Sequence, residues 1–376
     1  MSVTLKQIAD ELNVSQATVT NALNGKPNVS EALRLVIRET ALHMGYDKNA
    51  NRAAQLLIAR RHGNPVQHNA IALILQVSRK SPHYSPFYRV LMDGAEDEAR
   101  KRGFDLYLTH QRDKTLPHIV KERRVDGLIF FDNTKWVREE LRTLALPVVT
   151  LGAWNPQTYN ILPDGEGGTY EATKYLIERG HARIAYVGGS GFIPEKRRQG
   201  YRRALAEHGL PFDESLMQYS DRSHMEHAVD KSAGSCVGNN MELYGRAAMR
   251  LLLERNRTRC GSQPDFTAVL CQNDVIAIGV VRQAEKEGLA VPDDLSVIGF
   301  DDVTPQYNFQ PLLTSVAPPY FAMGQHAVAW LCQEAKLRLN KGTEDAGWQQ
   351  SEAIEYFPTT LAVRDSTRVL TGKEDL

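Results

Sequence analysis

A short segment near the N-terminus carries side chains suited to contacting the edges of nucleic-acid bases. Between residues 14 and 25, one face of a predicted helix presents Gln16, Ala17, Thr20 and Asn21. These side chains are short and carry hydrogen-bond donors, acceptors or a methyl group. A helix that enters a groove about 12 Å wide and touches base edges needs such a face. The spacing therefore predicts a helix that reads bases in the major groove.

The ends of this helix are marked by residues with strong positional preferences. Ser15 is a favourable N-cap, because its hydroxyl accepts one of the unpaired amide hydrogens of the first turn. Asn24 and Gly25 tolerate left-handed backbone angles and form a suitable end. Val19 and Leu23 lie four residues apart on the opposite face, where they are expected to contact a core.

Two further helices are predicted to hold this one in place. Thr4 and Gln7 form a capping-box pattern, and apolar residues then recur on one helical face as far as Leu12. A third helix is predicted from Ser30 to about Met44, with a buried stripe of Ala32, Leu33, Val36, Ile37, Thr40 and Ala41. So brief a turn between the first two helices is typical of a helix-turn-helix. Another small helical bundle is the alternative.

The charge of the chain is unevenly distributed. The first 61 residues hold eight Lys and Arg and five Asp and Glu, a net charge of +3, whereas all 376 residues sum to zero. Because a charge of this size neutralises few phosphates, one copy alone is expected to bind nucleic acid weakly.

From residue 69 onward the pattern changes to strands that alternate with helices. Apolar strands are predicted in two successive runs, at 71–75, 104–108, 125–131 and 147–151, and then at 184–187, 268–270 and 295–298. Such alternation indicates parallel sheets covered on both faces. We predict an α/β protein with a three-helix helix-turn-helix headpiece (1–48), a linker (49–68) and a body of two doubly wound α/β subdomains (69–376). Ligands bind such sheets outside the carboxyl ends of their strands.

Five short motifs occur in a fixed order in the first 46 residues. They are Thr4–Ala9, Val14–Thr20, Leu23–Gly25, Val29–Ser30 and Gly45–Tyr46. Together they resemble the headpiece of the LacI/GalR family of bacterial transcription regulators. The resemblance implies that the headpiece contacts DNA through Thr4, Ser15, Gln16, Ala17, Thr18, Thr20, Asn21 and Asn24. Family members often carry arginine in place of Asn21, and asparagine favours adenine where arginine favours guanine, so the operator is expected to differ.

Residues 49–68 are expected to form a hinge helix and linker. In the family that the chain resembles, paired hinge helices insert a leucine into the minor groove, at an unstacking cost on the order of a few kcal/mol per step. The DNA contacts expected from this segment are Arg52, Leu56, Leu57 and Arg60. Either leucine would be the inserted side chain, although the usual spacing from Tyr46 places Gln55 there. An ordinary linker helix is the alternative.

Further motifs extend the resemblance through the body. They include Arg124–Gly127, Gln272–Asp274, Val291–Asp302 and Pro311–Ser315. The resemblance implies a body like that of the periplasmic sugar-binding proteins, which close around a small molecule. The implied ligand contacts are Tyr84, Phe87, Asn133, Trp154, Arg197, Asn273, Asp274 and Asp301.

The chemistry of this set suits a polyol. Carboxylate, amide and guanidinium groups bond to adjacent hydroxyls, and aromatic rings cover the apolar face of a sugar. Each polar member has a structural alternative, since Asp274 could cap a helix, Asp301 could be a loop residue and Arg197 could pair with Glu195 on the surface. Three departures from the family bear on which effector binds: a short segment at 109–122, Pro318 and a long polar segment at 219–240.

Signatures of other function classes are weak. His224 and His227 have metal-like spacing with no third ligand nearby, and residues 188–191 form neither a nucleophile elbow nor a phosphate-binding loop. The chain shows no signal peptide and no apolar run of the roughly 18 residues that span a bilayer. Its four cysteines lack C-x-x-C spacing and fit free thiols. We expect a cytoplasmic protein with no enzymatic activity, cofactor, metal or membrane partner.

These observations predict a homodimeric, sequence-specific DNA-binding transcription regulator, with repression as the expected mode. Its affinity for a double-stranded, near-palindromic operator would be controlled by a small effector, a sugar or sugar derivative, bound between the two lobes. The alternative is a solute-binding protein of a sugar transporter, which explains the body but not residues 1–60. A third hypothesis, a sugar isomerase or kinase, lacks a nucleophile, metal or phosphate-loop signature.

Overall fold

The computed structural model describes most of the chain, with several gaps. It covers residues 3–23, 26, 28–46, 67–75, 86–110, 115–131, 146–220, 237–260, 264–341 and 353–370. The predicted site residues outside these ranges are Asn24, Arg52, Leu56, Leu57, Arg60, Tyr84 and Asn133, together with the pair His224 and His227. The described residues form two compact units, the N-terminal helices and the body that begins at Gln67.

The N-terminal unit contains the three predicted helices: α1 (Leu5–Glu11), α2 (Gln16–Leu23) and α3 (Glu31–His43). The capping box at the start of α1 is confirmed, since the hydroxyl of Thr4 accepts from the amide of Gln7 and the Gln7 side chain accepts from the amide of Thr4. The fully or nearly buried core residues are Ile8, Ala9, Val19, Ala22, Val29, Ile37 and Ala41. This core fixes α2 between the other two helices.

The buried stripe predicted for α3 is partly wrong. Ile37 and Ala41 are buried and Leu33 is half-buried, but Ala32 is exposed and Val36 is 45% exposed. Because α1 and α2 are short, α3 meets them along a narrow line of residues at spacings of three and four. Leu33, Ile37 and Ala41 lie on this line and Thr40 is half-buried next to it, whereas Ala32 and Val36 fall outside it.

The first lobe of the body is built on a six-stranded parallel sheet. Its elements are β1 (Ala70–Leu75), α4 (Pro86–Arg102), β2 (Asp105–His110), α5 (His118–Lys121), β3 (Gly127–Phe130), β4 (Val148–Leu151), β5 (Tyr159–Pro163) and β11 (Ile354–Phe357). The strand order is β11-β5-β4-β3-β1-β2. Every residue of β1, β3 and β4 is buried, as expected for strands covered on both faces.

The second lobe is built on a second six-stranded sheet, in the order β12-β10-β9-β8-β6-β7. Only β12 runs antiparallel, against β10. Its elements are α6 (Gly165–Glu178), β6 (Ile184–Gly189), α7 (Phe192–Glu207), a 3-10 turn (Glu214–Leu216), β7 (Met217–Ser220), α8 (Val237–Cys260), β8 (Ala268–Cys271), α9 (Asp274–Lys286), β9 (Ser296–Phe300), a second 3-10 turn (Thr304–Tyr307), β10 (Thr314–Ala317) and β12 (Thr360–Ala362). The predicted two-lobed α/β body is therefore confirmed.

Within the described ranges, the chain passes between the lobes at 163–165, 317–320 and 357–360. The second crossing begins α10 (Tyr320–Lys341), whose residues Met323 and Leu331 join the core of the first lobe. Helices α10 and α4 cross closely, because a Cβ on Gly324 would lie 2.0 Å from the carbonyl oxygen of Leu91. Among the described residues, no helix is both long and apolar enough to cross a membrane.

Candidate functional site

The second headpiece helix exposes part of the face predicted to read bases. Gln16 and Ala17 are exposed, and Asn21 lies about one turn further along and is half-buried. Val19 and Ala22 are buried on the other side. The helix therefore presents an amide and a methyl group to solvent at its N-terminal end, where a helix that enters the major groove contacts base edges.

Hydroxyl groups at the start of α2 have partners within the helix. Ser15 Oγ accepts from the amide of Thr18 at 3.0 Å, which confirms the predicted N-cap. The hydroxyls of Ser15 and Thr18 lie 2.8 Å apart, and Thr20 Oγ1 donates to the carbonyl of Gln16 at 2.8 Å. These bonds stabilise the helix, and the DNA contacts expected of these residues stay predictions.

In the second lobe, the structure brings together two of the predicted ligand residues. Arg197 lies on α7 and Asp301 directly follows β9, and their Nη2 and Oδ1 atoms are 3.5 Å apart. The guanidinium of Arg197 also lies 3.5 Å from the ring centroid of Phe300 and donates to the carbonyl of Gln272, which follows β8. Because β8 and β9 are neighbours in the sheet, their carboxyl ends place these groups side by side.

The surface alternative for Arg197 is wrong. Glu195 pairs with Arg198, and the side chain of Arg197 is 8% exposed. Burial raises the pKa of Asp301 above its ordinary value, although Arg197 and a hydrogen bond from Tyr320 act in the opposite direction. Arg197 and Asp301 are thus a buried pair of opposite charges.

Tyr320 links this pair to the first lobe. Its hydroxyl donates to Asp301 Oδ1 at 2.7 Å, and its ring stacks on that of Phe87 with centroids 5.0 Å apart. Phe87 is in the first turn of α4, so this predicted residue is connected to the buried pair through Tyr320. The sequence analysis missed Tyr320; its position directly after Pro318 and Pro319, which follow β10, marks the change from strand to helix but does not link it to Asp301.

A second aromatic pair joins the lobes. Trp154 follows β4 of the first lobe and stacks on Phe192 at the start of α7, with centroids 4.7 Å apart and planes 16° apart. Trp154 was predicted and Phe192 was not. Aromatic rings of this kind cover apolar faces of bound molecules.

Asn273 and Asp274 occupy different environments although they are adjacent. Asn273 is the N-cap of α9, because its Oδ1 accepts from the amide of Ile276 at 2.9 Å. The capping alternative for Asp274 is therefore wrong. Asp274 has no exposed surface, and its oxygens accept from the hydroxyl of Ser315 at 2.6 Å and the amide of Val303 at 2.7 Å. Direct ligand contact by Asp274 stays a prediction, since both of its oxygens are bonded to the protein.

The assembled groups suit an uncharged, hydroxyl-rich molecule. The charges of Arg197 and Asp301 cancel. A ligand that replaced part of their contact would need acceptors for the Arg197 guanidinium and donors for the Asp301 carboxylate, and sugar hydroxyls supply both. Phenol, indole and phenyl rings from both lobes supply apolar faces. Within the described part of the chain, no cluster of three or more His, Cys, Asp or Glu side chains could hold a metal ion.

Three protein families match the chain, and together they span its units. The family of bacterial regulatory proteins called lacI matches residues 4–49. The family described as periplasmic binding proteins and sugar binding domain of the LacI family matches residues 68–231. A periplasmic binding protein-like domain matches residues 173–367.

Individual relatives align over nearly the full chain. Catabolite control protein A of Priestia megaterium is 31% identical, with 98% of this chain and 100% of the relative covered. The HTH-type transcriptional regulator CelR of Thermobifida fusca is 30% identical over 86% of this chain and 88% of its own. Among solved structures, a transcriptional regulator CelR–cellobiose complex has a TM-score of 0.60 and 27% identity, with 97% of this chain and 99% of that chain covered.

Proposed function

This chain belongs to the LacI family of bacterial regulatory proteins and is a DNA-binding transcription regulator, and we propose that it represses transcription from an operator under the control of a neutral sugar. The proposal is supported by two features of the same chain. A single chain combines a headpiece helix that exposes Gln16 and Ala17 with a buried Arg197–Asp301–Tyr320 cluster that joins two lobes. The first element binds DNA, and the second senses the sugar. We place this activity in the cytoplasm, where operator DNA is found.

The headpiece is proposed to read sequence through Gln16, Ala17 and Asn21. An asparagine amide pairs with adenine through two hydrogen bonds, and each such pair discriminates against a wrong base by about 1–3 kcal/mol. Gln16 and Ala17 are exposed at the start of α2, which leaves them free to approach base edges. The hinge residues Arg52, Leu56, Leu57 and Arg60 are proposed to contact phosphates and the minor groove.

The substitution Asn21→Ala tests the base-reading role. We expect it to weaken binding to the operator about tenfold, the fold-change that corresponds to roughly 1.4 kcal/mol, and to leave binding to scrambled DNA unchanged. Fluorescence anisotropy with the chain's own upstream DNA and a scrambled duplex measures both affinities. Arg60→Ala is the control, because loss of a phosphate contact weakens both alike. Equal losses on the two duplexes for Asn21→Ala would reject the role.

A homodimer is proposed, with the edge of the first sheet as its contact. Strand β2 is the last strand of that sheet, and its residues Tyr107 and Leu108 are 44% and 49% exposed. An edge strand with exposed apolar side chains is a template for pairing with another chain unless it is covered. A second copy would cover it and would bring two headpieces to the two halves of a near-palindromic operator.

The effector is proposed to bind where the lobes meet, against Arg197, Asp301, Tyr320 and the two aromatic pairs. The paired charges of Arg197 and Asp301 favour a neutral ligand over an anionic one, since an anion would compete with Asp301 for Arg197. The similar CelR structure was solved as a cellobiose complex, which supports a carbohydrate. Phe87, Trp154 and Asn273 are proposed as secondary contacts, and Tyr84 and Asn133 remain candidates.

Tyr320 gives this site a way to act on the first lobe. Its hydroxyl bonds to Asp301 of the second lobe, while its ring stacks on Phe87 at the start of α4. A sugar hydroxyl that bonded to Asp301 would compete with Tyr320 and change how α4 and α10 pack. A ligand shifts such an equilibrium only by its difference in affinity for the two arrangements, typically about 1–3 kcal/mol.

A further inference from the structure

The turn that carries Asp301 has an uncommon backbone. Asp301 and Asp302 both have positive φ, at 96° and 54°. Residues with a Cβ rarely adopt this region, and they persist there when surrounding contacts hold them. Two such residues in succession aim the carboxylate of Asp301 at Arg197 and Tyr320. The turn therefore needs support from elsewhere in the second lobe.

That support comes from Asp274, at the start of α9. Its Oδ2 accepts from the amide of Val303 at 2.7 Å, and its Oδ1 accepts from the hydroxyl of Ser315 at 2.6 Å. Ser315 Oγ in turn accepts from the amide of Asp302 at 3.1 Å. One carboxylate thus secures two consecutive amides of the turn, one directly and one through a serine.

Asp274 is closely enclosed by the second lobe. A Cβ on Gly299 would lie 1.9 Å from Asp274 Oδ1, so a residue without a side chain is required in β9 where the carboxylate approaches. Arg364 forms an ion pair with Asp302, in which Arg364 Nη1 lies 2.6 Å from Asp302 Oδ1. Asp274 is fully buried and makes both of its bonds to the protein.

We propose that Asp274 is a positioning residue for the effector site: its carboxylate holds the turn at 301–303 and thereby sets the affinity of Asp301 for a sugar. The inference rests on the proposed function, since it assumes that Asp301 binds the effector. It replaces the direct ligand contact predicted for Asp274 with an action through Asp301. Asp274 itself touches no sugar.

Sugar affinity should depend on pH, because the strength of the hydrogen bonds that Asp274 accepts from Ser315 and Val303 depends on its charge. Burial, and after it the neighbouring Asp301 and Asp302, raise its pKa to about 7, despite the bonds from Ser315 and Val303. The titratable or charged groups that face it or its carboxylate neighbours are Cys271, Asp301, Asp302, Tyr307, Tyr320, Arg197 and Arg364. Protonation turns one of its acceptor oxygens into a donor, so sugar affinity should fall as the pH drops through about 7.

Hydrogen–deuterium exchange of the full-length protein tests the first step without any ligand. In Asp274→Asn, the amide oxygen can still accept from Val303 and the amide nitrogen can donate to Ser315, but the charge is lost. Hydrogen bonds to a charged group are about twice as strong as neutral ones. We therefore expect faster exchange in peptides that cover residues 301–303 at pH 8. Asp293→Asn, an exposed substitution in the same lobe, is the matched control and should exchange as the wild type does.

Sugar binding tests the second step, with ribose and cellobiose as probes in isothermal titration at pH 5.5 and 8.5. For a sugar that binds the wild type, we expect affinity to be about fivefold lower at the lower pH, and Asp274→Asn to show the lower affinity at both. Ser315→Ala should also weaken binding but keep the pH dependence, because Asp274 remains. Urea unfolding at pH 8 separates positioning from structure: a merely structural role would lower the stability of Asp274→Asn together with its affinity.

The results for Asp274→Asn either support or overturn its positioning role. Faster exchange at 301–303 with weaker, pH-independent sugar binding and undiminished stability supports the proposal. Unchanged exchange, unchanged pH dependence, or a loss of affinity that follows a loss of stability in Asp274→Asn overturns it. If the wild type itself binds neither sugar, the proposed function fails, and the inference about effector affinity fails with it. Failure of the proposed function would therefore be seen in the wild type alone, whereas failure of the positioning role would be seen only in the variants.

Discussion

Replacing Asp274 by asparagine is expected to stabilise the protein relative to the wild type at pH 8, and by much less at pH 5. Burial and two nearby aspartates raise the pKa of this carboxyl from 3.8 to about 7. The unfolded chain releases the proton near pH 4, while the folded chain keeps it up to about pH 7. The wild type therefore loses stability as the pH rises between these values. From pH 5 to 7 the loss is about 2 kcal/mol, because the slope of roughly 1.36 kcal/mol per unit falls as the folded carboxyl begins to lose its proton near pH 7.

Urea unfolding followed by circular dichroism, at pH 5 and pH 8, measures the difference between the two proteins. His181 titrates in the same range, because burial lowers its pKa to about 4 and its contribution is lost as the pH falls below about 6.5. That term is common to both proteins and cancels. A stability gap between wild type and Asp274→Asn that is equal at pH 5 and pH 8 would show that the folded protein does not raise the pKa of Asp274.

Two further substitutions test the effector site and the dimer. Tyr320→Phe keeps the ring stack on Phe87 but removes the bond to Asp301, and losing a hydrogen bond to a charged group costs about 1.5–3 kcal/mol. We expect the response of operator binding to the sugar to shrink, and an unchanged response would exclude the coupling role. Leu108→Lys places a charge on the edge of the first sheet and should convert a dimer to a monomer in sedimentation velocity, with weaker operator binding. A dimer that persists would place the interface elsewhere.

The headpiece was predicted well where the signals are local. The caps at Thr4 and Ser15 depend on residues three apart in sequence, and both hydrogen bonds are present. Which residues of α3 are buried depends on where α1 and α2 end, and the periodicity of α3 alone gives no information about those ends. Val36 was therefore wrongly assigned to the core.

The two-lobed body was predicted from its apolar strands, but five of its strands were missed. Strands β5, β7 and β10 to β12 are short, and β11 and β12 are largely half-exposed, so they lack the continuous apolar run that marked β1. Their places are fixed by pairing with distant strands, as β11 pairs with β5. Pairing between segments this far apart in sequence leaves no local pattern.

Adjacent polar residues in the effector site show a similar limit. Asn273 and Asp274 both stand at the start of a helix after a strand, and the sequence does not say which caps the helix and which turns inward. The close approach of Asp274 to Gly299 and Ser315 decides this. Arg197 and Asp301 were brought together only by resemblance to a family, because they are distant in sequence. Tyr320 was missed because no pattern connects it to Asp301.

Operator affinity measured with and without sugar, in the wild type and in Asp301→Ala, tests whether a sugar bound at Asp301 controls DNA binding. Fluorescence anisotropy with the chain's own upstream DNA gives the dissociation constant, and a panel that includes ribose and cellobiose supplies the effector. We predict that one sugar changes the operator affinity of the wild type at least fivefold, the lower end of the usual range of about 1–3 kcal/mol. Asp301→Ala should bind the operator as the wild type does and ignore that sugar. A wild type whose operator affinity no sugar changes, or an Asp301→Ala variant that responds in full, would show that Asp301 does not mediate control of DNA binding by a sugar.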